Sequence, residues 1–269
     1  HKLNMAGLEA EAAPLAEHAL QGVVVGRILT AEKHPQADRL RVCTVDIGTG
    51  TPQQIVCGAP NARVGLCAPV ATVGSTLPGD LQIKAAQLRG VDSAGMLCSA
   101  KELMLSDKSE GLLELDDAAT PGTPISAYLK LDDTLLTLEL TPNRGDCLSI
   151  NGLAREVGAL YGLQPCRPAI EKAPVTGTKT LAVSIENTAD CTRYLGRVIE
   201  NINPEARTPD WLRERLRRSN IRSIHPVVDI TNLVMLELGT PMHAFDLAKL
   251  DGPIHVRRAQ SGETLKLLT

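Results

Sequence analysis

The chain has 269 residues, of which 43% are hydrophobic, and its formal net charge is −3. This length and apolar content predict about two domains with packed cores, and the net charge excludes a polycationic nucleic-acid coat. Aromatic residues make up only 2% of the chain, which argues against a protein that stacks single-stranded bases on aromatic side chains.

Seven cysteines are scattered along the chain, and none forms a C-x-x-C pair. Their odd number and irregular spacing favour reduced, buried thiols in a cytoplasmic protein over disulfides or a zinc site. We expect no membrane span, because no run of about 18 apolar residues occurs, and no signal-peptide pattern opens the chain. Both ends are abrupt, so the chain is expected to be a fragment.

From Gln21 to about Asp117 the signals are those of β structure. Short runs rich in β-branched residues (VVVGRILT, RVCTVDI, QQIVC, APVATV, LQIKA) are separated by turn clusters such as KHPQAD and GTGTP. About five strands at this spacing predict a small closed barrel.

The segment after the barrel region predicts a strand followed by an amphipathic helix. LLTLEL at 135–140 reads as the strand, and apolar residues recur at helical spacing from Ile150 to Tyr161. Asp146 or Ser149 is expected to cap this helix, and Gly162 to end it. The RGD triplet at 144–146 is better explained by this helix start than by integrin binding, since nothing indicates secretion.

Residues 163–180 contain three prolines and no periodicity, and predict a linker. Beyond it, TLAVSIEN, YLGRVIENI, IHVRRAQ and ETLKLL read as strands. Two helices are predicted between them: one with Thr208 at the N-cap and Pro209 at N1, and one from Ile224 to Leu238 that ends at Gly239. This order predicts an α+β domain, of which the chain holds the first part.

Two regions offer cations to phosphate groups. The loops KHPQADRLRV and RGVDSAGMLCSAKEL lie in a segment, 21–102, with 8 Lys+Arg against 6 Asp+Glu. The helix from Trp211 carries four arginines, with Arg207 and Arg222 beside it. Solvated loops and an exposed helix face explain these charges as well as RNA contacts do, so both readings stay open at this point.

His243 lies in the stretch ELGTPMHAFD, beside the only phenylalanine of the chain. An isolated histidine more often packs than performs chemistry. It follows a helix C-terminus, where the dipole favours imidazolium, and no serine or cysteine nearby in sequence forms a nucleophile pair with it.

Taken together, these segments resemble the N-terminal part of the β subunit of bacterial phenylalanine–tRNA ligases. The resemblance rests on motifs along nearly the whole chain: MAGLEAE, KHPQADRLRV, IVCGAPNARVG, KAAQLRGVDSAGMLCSAKEL, LELTPNRGDCLSINGLAREVGALYG, RYLGRVIENI, TPDWLRERLRRSNIRSI and VVDITNLVMLELGTPMHAFD. Residues 21–102 also resemble a free-standing OB-type tRNA-binding module.

The resemblance implies a multidomain α+β fold, in which an OB-fold barrel is inserted in a small α/β domain. The implied bounds are 1–20 with 128–165 for the small α/β domain, 21–127 for the barrel, 166–180 for a linker, and 181–269 for the first part of a larger α+β editing domain. In this family the editing domain hydrolyses tyrosine that is wrongly attached to phenylalanine tRNA.

The same resemblance assigns candidate site residues. His243 corresponds to the histidine that lines the editing pocket, and Asn232 and Thr231 correspond to pocket-side positions. The family's carboxylate for the tyrosine hydroxyl lies later in the domain, so the pocket is expected to be incomplete here, and no metal is expected in this fragment. The candidates for tRNA contact share a positive charge: Lys33, Arg39, Arg41, Arg89, Lys101, Arg213 and Arg217.

The family implies partners that this chain does not contain. The complete enzyme uses ATP and magnesium, joins two α and two β chains, and acts on phenylalanine tRNA, without a membrane. This fragment is therefore expected to bind neither cofactor and to be unable to aminoacylate alone. The alternatives are a free-standing RNA-binding or assembly module, and a scaffold that contacts no RNA.

Overall fold

A computed structural model describes residues 1–16, 20–107, 111–166 and 169–267. The chain divides into two compact units: unit 1 consists of His1–Gly145 and Thr208–Ser223, and unit 2 consists of Asp146–Arg207 and Ile224–Thr269. In the described ranges no helix is long and apolar enough to cross a membrane. The bounds of these units differ from the domain bounds that the resemblance implies, because residues 208–223 group with unit 1. The implied domain bounds stay predictions.

Unit 1 is mainly β structure with short helices. Its elements in chain order are α1 (Lys2–Met5), β1 (Glu9–Pro14), β2 (Val23–His34), β3 (Ala37–Asp46), β4 (Gln53–Cys57), β5 (Cys67–Thr72), β6 (Thr76–Leu77), β7 (Leu81–Gln82), β8 (Ala86–Leu88), β9 (Val91–Ser93), β10 (Gly95–Leu97), α2 (Ile125–Tyr128) and β11 (Thr134–Glu139). A 3-10 segment, Pro142–Cys147, follows, and the helix α4 (Asp210–Arg218), which comes later in the chain, also belongs to this unit.

Five antiparallel strands form one sheet in the order β10-β5-β2-β3-β4. The two ends of this sheet approach each other, since Ala94 N donates to Gln54 O at 2.8 Å and Val56 N to Ser93 Oγ at 3.0 Å. The result is a nearly closed, barrel-like sheet, which confirms the predicted barrel at this level of detail. Its interior holds a cluster of apolar side chains: Ile28, Cys43, Val45, Ile47, Ile55, Leu66, Ala68, Val70 and Leu97.

Gly26 allows the strands of this sheet to pack closely. A Cβ atom at this position would lie 2.4 Å from Val70 Cγ2 and 2.9 Å from Val45 Cγ1. Both distances are below van der Waals contact, and the branched valine side chains have little rotamer freedom with which to move away. The glycine in VVVGRI is therefore a packing requirement of the barrel.

A separate two-stranded sheet pairs β1 with β11, antiparallel, from Glu9↔Glu139 to Pro14↔Thr134. The predicted strand LLTLEL is confirmed, one residue earlier than expected. Its partner EAEAAP was not predicted as a strand, because it contains no β-branched residue. A second cluster of buried apolar side chains in unit 1 includes Val23, Ile125 and Leu131.

Unit 2 contains α3 (Ile150–Tyr161), β12 (Val183–Ile185), α5 (Pro226–Leu238), a 3-10 turn at Leu247–Lys249, and β13 (Ile254–Val256). The cap predictions hold: Ser149 Oγ accepts from Gly152 N at 3.1 Å, and Gly162 and Gly239 end α3 and α5 with φ of 66° and 74°. β12 and β13 pair in parallel. For α4 the expected start is shifted, since Pro209 occupies the N-cap and Asp210 begins the helix.

Two predicted strands of unit 2 are wrong within the described ranges. Residues 194–202 (YLGRVIENI) have no strand structure, and neither do 263–267 of ETLKLL; Leu268 lies outside the described residues. A strand needs a paired neighbour to satisfy its backbone groups. Leu195 and Ile199 are 81% and 67% exposed, so these two apolar side chains of the run are not packed in a core.

Candidate nucleic-acid interface

Two cationic side chains face each other across the β2–β3 hairpin. The register places Lys33 directly opposite Arg41, and Arg41 directly opposite Cys57 on β4. Like charges at directly opposed positions destabilise a sheet. In the described parts of the chain neither side chain forms an ion pair with a carboxylate. The pair is therefore an unneutralised site that a bound anion would stabilise.

A buried histidine at the end of β2, His34, holds the hairpin that brings a third cation, Arg89, to this surface. His34 is 5% exposed, its Nδ1 accepts from Gln36 N at 3.1 Å, and its Nε2 lies 3.0 Å from Leu88 O. Because Nδ1 accepts a hydrogen bond, Nε2 carries the proton and donates to Leu88 O, and the ring is neutral. This bond holds the β8–β9 hairpin against the end of β2.

Arg89 stands at the tip of that hairpin, with φ of +47°. Its Nη1 lies 3.5 Å from Gln36 O, at the limit of a hydrogen bond. The left-handed backbone of a non-glycine residue is uncommon and is held here by the surrounding contacts. Lys33, Arg41 and Arg89 are thus held by neighbouring elements; His34, which connects those elements, was missed by the sequence reasoning.

A groove of about 530 Å³ lies beside these cations, entirely within unit 1. Its walls include Cys57, Leu88 and Lys84. Burial raises the pKa of the Cys57 thiol, whereas the nearby Arg41 guanidinium acts in the opposite direction. The thiol is therefore a neutral, unreactive part of the wall, and Arg41 lies within electrostatic reach of the groove.

Two further predicted cations of the barrel are exposed. Arg39 lies on β3 and Lys101 follows β10, and neither forms an ion pair with a described carboxylate. Among the described residues no hydrogen bond or ion pair joins them to the Lys33–Arg41 pair, so their assignment as RNA contacts stays a prediction.

The arginines of α4 are engaged inside unit 1. Arg213 Nη1 donates to Glu114 O at 2.9 Å and to Asp210 Oδ1 at 3.1 Å, and Arg217 forms two hydrogen bonds of 2.9 Å with Glu214. Arg218 donates to the carbonyls of Leu129 and Lys130. These bonds occupy the guanidinium groups with protein acceptors, so a role for Arg213 and Arg217 in RNA contact stays a prediction.

Asp210 connects α4 to the rest of unit 1. Its carboxylate is 8% exposed, and Oδ2 accepts from the Tyr128 hydroxyl and from Asp116 N, both at 2.7 Å. Burial and the neighbouring Asp210 carboxylate raise the pKa of the Tyr128 phenol. Leu212 and Leu216, on the apolar side of the helix, are also buried. The helix is thus an integral part of unit 1.

The editing-pocket candidates lie in unit 2. His243 is exposed in an irregular segment, with its ring centroid 6.3 Å from that of Phe245 and tilted by 40°. Thr231 Oγ1 donates to Val228 O at 2.7 Å within α5, and Asn232 is partly buried on the same helix. Among the residues described, no hydrogen bond joins His243 to either of them, so the roles of all three stay predictions.

All seven cysteines are free thiols. The predicted burial is confirmed for five, but Cys166 is exposed and Cys191 is half-buried. Burial raises the pKa of Cys43 to about 11 and that of Cys98 to about 12. Asp146, Cys147 and Glu156 place possible ligand atoms within 4.8 Å of one another, and within this group Cys147 Sγ donates to Asp146 Oδ2 at 3.6 Å.

Two domain families match the sequence. Residues 23–124 match the family described as "Putative tRNA binding domain", and residues 190–269 match the B3/4 domain. The first match covers the barrel-like sheet with its cationic hairpin. The second covers α4, α5 and His243, and it therefore extends over parts of both compact units.

Curated relatives align with the whole chain. The phenylalanine–tRNA ligase beta subunit of Neisseria meningitidis serogroup A is 55% identical over 269 residues, which is 100% of this chain and 34% of that protein. The same subunit of Methylococcus capsulatus is 55% identical over 268 residues, 99% of this chain and 34% of that protein. The chain thus spans about a third of the length of these relatives.

A solved structure, the MetRS related protein from Pyrococcus horikoshii, is 22% identical, with a TM-score of 0.29, and covers 38% of this chain and 85% of that chain. An overlap at this level carries no structural conclusion.

Proposed function

We propose that the chain acts as part of a phenylalanine–tRNA ligase beta subunit, in an ATP-dependent aminoacyl-tRNA synthetase. The identity of 55% extends over all 269 residues and includes both matched domains, and this whole-length relationship supports the proposal. ATP, magnesium and the amino acid are then bound by the α chain and by parts of the β subunit that this sequence does not include.

The RNA partner in this proposal is phenylalanine tRNA, and the barrel, read as an OB-fold, is the part that contacts it. The supporting observation is the Lys33–Arg41 pair, which has no described carboxylate partner, with Arg89 held nearby by the hairpin. Lysine and arginine contacts to phosphate position a protein on a nucleic acid without reading its sequence. A local cationic surface of this kind is compatible with the net charge of −3.

Salt dependence tests this RNA contact. If three or four phosphates are contacted, raising the salt from 50 to 200 mM is expected to weaken binding of phenylalanine tRNA by roughly 40- to 150-fold, because each contact releases counterions. Replacing Lys33 and Arg41 together by alanine should reduce the slope of log affinity against log salt by about 1.8. Fluorescence anisotropy at several salt concentrations measures both quantities.

Lys172→Ala is the matched control, because Lys172 is an exposed cation in an irregular segment of unit 2. It should leave the slope unchanged. Binding of equal strength at both salt concentrations, or no binding at 50 mM, would contradict the assignment of the barrel as an RNA-binding domain.

The second matched domain is proposed to form part of the editing site, which hydrolyses tyrosine from mischarged phenylalanine tRNA. Ester hydrolysis needs an oriented water and stabilisation of the developing oxyanion, and an imidazole such as that of His243 can hold the water or a ribose hydroxyl. Discrimination for tyrosine over phenylalanine requires a buried partner for the phenol hydroxyl, because a site built for a hydroxyl strongly penalises its absence.

The role of His243 is tested in a complete ligase that carries this chain. His243→Ala is expected to raise the accumulation of tyrosyl-tRNA by about tenfold or more, the usual scale for losing a positioned proton-transfer group, while phenylalanine charging stays near normal. His255→Ala is the control, because His255 is another exposed histidine of unit 2. Equal tyrosyl-tRNA levels in wild type and His243→Ala would assign His243 a packing role only.

One observation favours a second function for part of the chain. The arginines of α4 bind protein acceptors of unit 1, as described above for Arg213, Arg217 and Arg218. These contacts give α4 a structural role within unit 1, which favours a scaffold function for this part of the chain. In that alternative the chain positions other parts of the synthetase, and the salt dependence of tRNA affinity would be absent.

A further inference from the structure

We propose that the 530 Å³ groove of unit 1 receives one unpaired nucleotide of RNA, with its base in the groove and a flanking phosphate on the Lys33–Arg41 pair. This inference rests on the proposed RNA-binding function of the barrel and adds to it which form of RNA is bound. It concerns unit 1 alone.

The groove has the size and lining of a small-molecule site. Its volume lies within the range of about 300–1,000 Å³ that is typical of ligand pockets. Aliphatic side chains form most of its walls: Val56, Leu81, Ile83, Leu88, Met96 and Leu97. Gln82, Ser93, Ser99 and the carboxylate of Glu102 add polar atoms to these walls. A planar base presents apolar faces and polar edges, which is the combination that such a lining accommodates.

The groove and the cationic pair are physically continuous. Cys57, on the groove wall, is the cross-strand neighbour of Arg41, which in turn opposes Lys33. On the other side, Leu88 lines the groove, and the next residue in the chain is Arg89. Lys84 lines the groove itself. A nucleotide whose base enters the groove therefore has cations within reach of its phosphates.

The buried histidine fixes this arrangement. His34 follows Lys33 in β2, and its ring donates to Leu88 O at 3.0 Å. One hydrogen bond thus joins the strand that carries a phosphate-binding cation to the wall of the groove. One carboxylate, that of Glu102, lines the groove and accepts from Ser99 N at 2.6 Å. Three cations in or beside the groove, Lys33, Lys84 and Arg89, form no ion pair in the described residues, and this excess of positive charge favours RNA over a neutral peptide.

A base must leave its stack to enter a groove of this kind. In duplex RNA the bases are stacked and the major groove is too deep and narrow for side chains, so sequence contacts are made with loops, bulges and ends. None of the described residues that line the groove is aromatic, and the contribution of the groove to affinity is therefore expected to be at the low end of that measured for aromatic stacking platforms.

The test uses the whole 269-residue chain, a fluorescently labelled single-stranded RNA of ten nucleotides, and an abasic strand with the same ribose–phosphate backbone. Because both strands carry the same charge, phosphate contacts cannot distinguish them. We expect the intact strand to bind about fivefold more tightly than the abasic strand, which corresponds to the lower end of the contribution of one base.

A variant that fills the groove tests whether the preference for the intact strand over the abasic strand comes from this groove. Ala86 lines the groove, and Ala86→Ile narrows it without changing the charge or adding an aromatic ring. This variant should bring the affinities of the intact and abasic strands close to parity while leaving the salt slope unchanged. Ala85→Ile is the matched control, because Ala85 is the neighbouring exposed residue and is not part of this groove. Thermal melting verifies that both variants are folded.

The outcomes separate the inference from the proposed function. Equal binding of the two strands by wild type, or an unchanged ratio in Ala86→Ile, would overturn the nucleotide site, and salt-dependent binding would still support RNA contact. Absence of salt-dependent binding to either strand would overturn both. Displacement of the intact strand by a polyglutamate peptide whose affinity also falls in Ala86→Ile would assign the groove to an acidic protein partner.

Discussion

Replacing Asp210 by alanine is expected to lower the free energy of unfolding by about 3 kcal/mol, because it leaves several buried donors without an acceptor. The Asp210 carboxylate accepts from the Tyr128 hydroxyl, from Asp116 N and from Arg213 Nη1. Its removal also detaches the start of α4 from the rest of unit 1. Denaturant unfolding followed by circular dichroism measures the loss.

The hydrogen bond between Tyr128 and Asp210 also predicts that the stability of the fold falls at alkaline pH. Burial and the Asp210 carboxylate raise the pKa of Tyr128 above its ordinary value of 10.0. The neutral phenol is therefore favoured in the folded chain, and its contribution to stability is complete below pH 10 and is lost as the pH rises from 10 towards the folded-state pKa. The difference in stability between wild type and Tyr128→Phe should shrink over that interval.

Asp133→Ala is the control for the predicted loss of stability in Asp210→Ala. Asp133 forms an ion pair with Arg218 of the same helix at 3.0 Å, but its side chain is 57% exposed, so its removal should cost less than about 1 kcal/mol. If Asp210→Ala and Asp133→Ala lowered stability equally, the buried hydrogen bonds of Asp210 would not be what holds α4 in place.

Replacing Gly152 by alanine is expected to be similarly severe for unit 2, with a loss of about 3 kcal/mol or the unfolding of the first turn of α3. The added Cβ would lie 1.6 Å from Asp146 O and 2.8 Å from Asp146 C. These are backbone atoms, which cannot rotate away as a side chain can. Moving them would also disturb the bond from Gly152 N to Ser149 Oγ, which caps the helix.

Hydrogen exchange of the amides from Ile150 to Tyr161 measures this effect, with faster exchange expected in Gly152→Ala. Gly145→Ala is the matched control, since a Cβ at Gly145 meets no atom within 4 Å. Gly145 directly precedes Asp146 in the 3-10 segment before α3. Unchanged protection of α3 in Gly152→Ala would show that the loop can move aside.

Local signals in the sequence were sufficient to predict the helices of unit 2. Ser149 and Gly162 bound α3, and Gly239 ends α5, because capping residues act on neighbouring backbone groups. The barrel strands were also recognisable, since alternation and turn residues are local. In contrast, the run YLGRVIENI has the composition of a strand but finds no partner in the described chain, and composition alone does not provide one.

The attachment of α4 could not be predicted, because it depends on residues far away in sequence. Asp116 and Asp210 are separated by 94 positions, and Tyr128 and Asp210 by 82. A stretch with four arginines on nine residues indicates an exposed helix or an anion-binding helix. Only the fold shows that the arginines reach backbone carbonyls such as those of Glu114 and Leu129.

The cationic surface was predictable in composition but not in arrangement. Lys33, Arg41 and Arg89 were selected from polar loops. Their placement follows from the β2–β3 register, which contains irregularities between Ile28 and Thr30 and between Lys33 and His34. Because a shift of one residue moves every side chain to the opposite face, the Lys33–Arg41 pair could not be derived without this register.

The pairing of β1 with β11 has a consequence for synthesis on the ribosome. β1 ends at Pro14 and its partner is complete only at Glu139, a delay of about 6 to 25 seconds at about 5–20 residues per second. During this interval the strand is an unpaired edge, while the barrel between the two strands can already fold. Its sequence EAEAAP carries two glutamates and a proline, and charges and proline discourage pairing with another nascent chain.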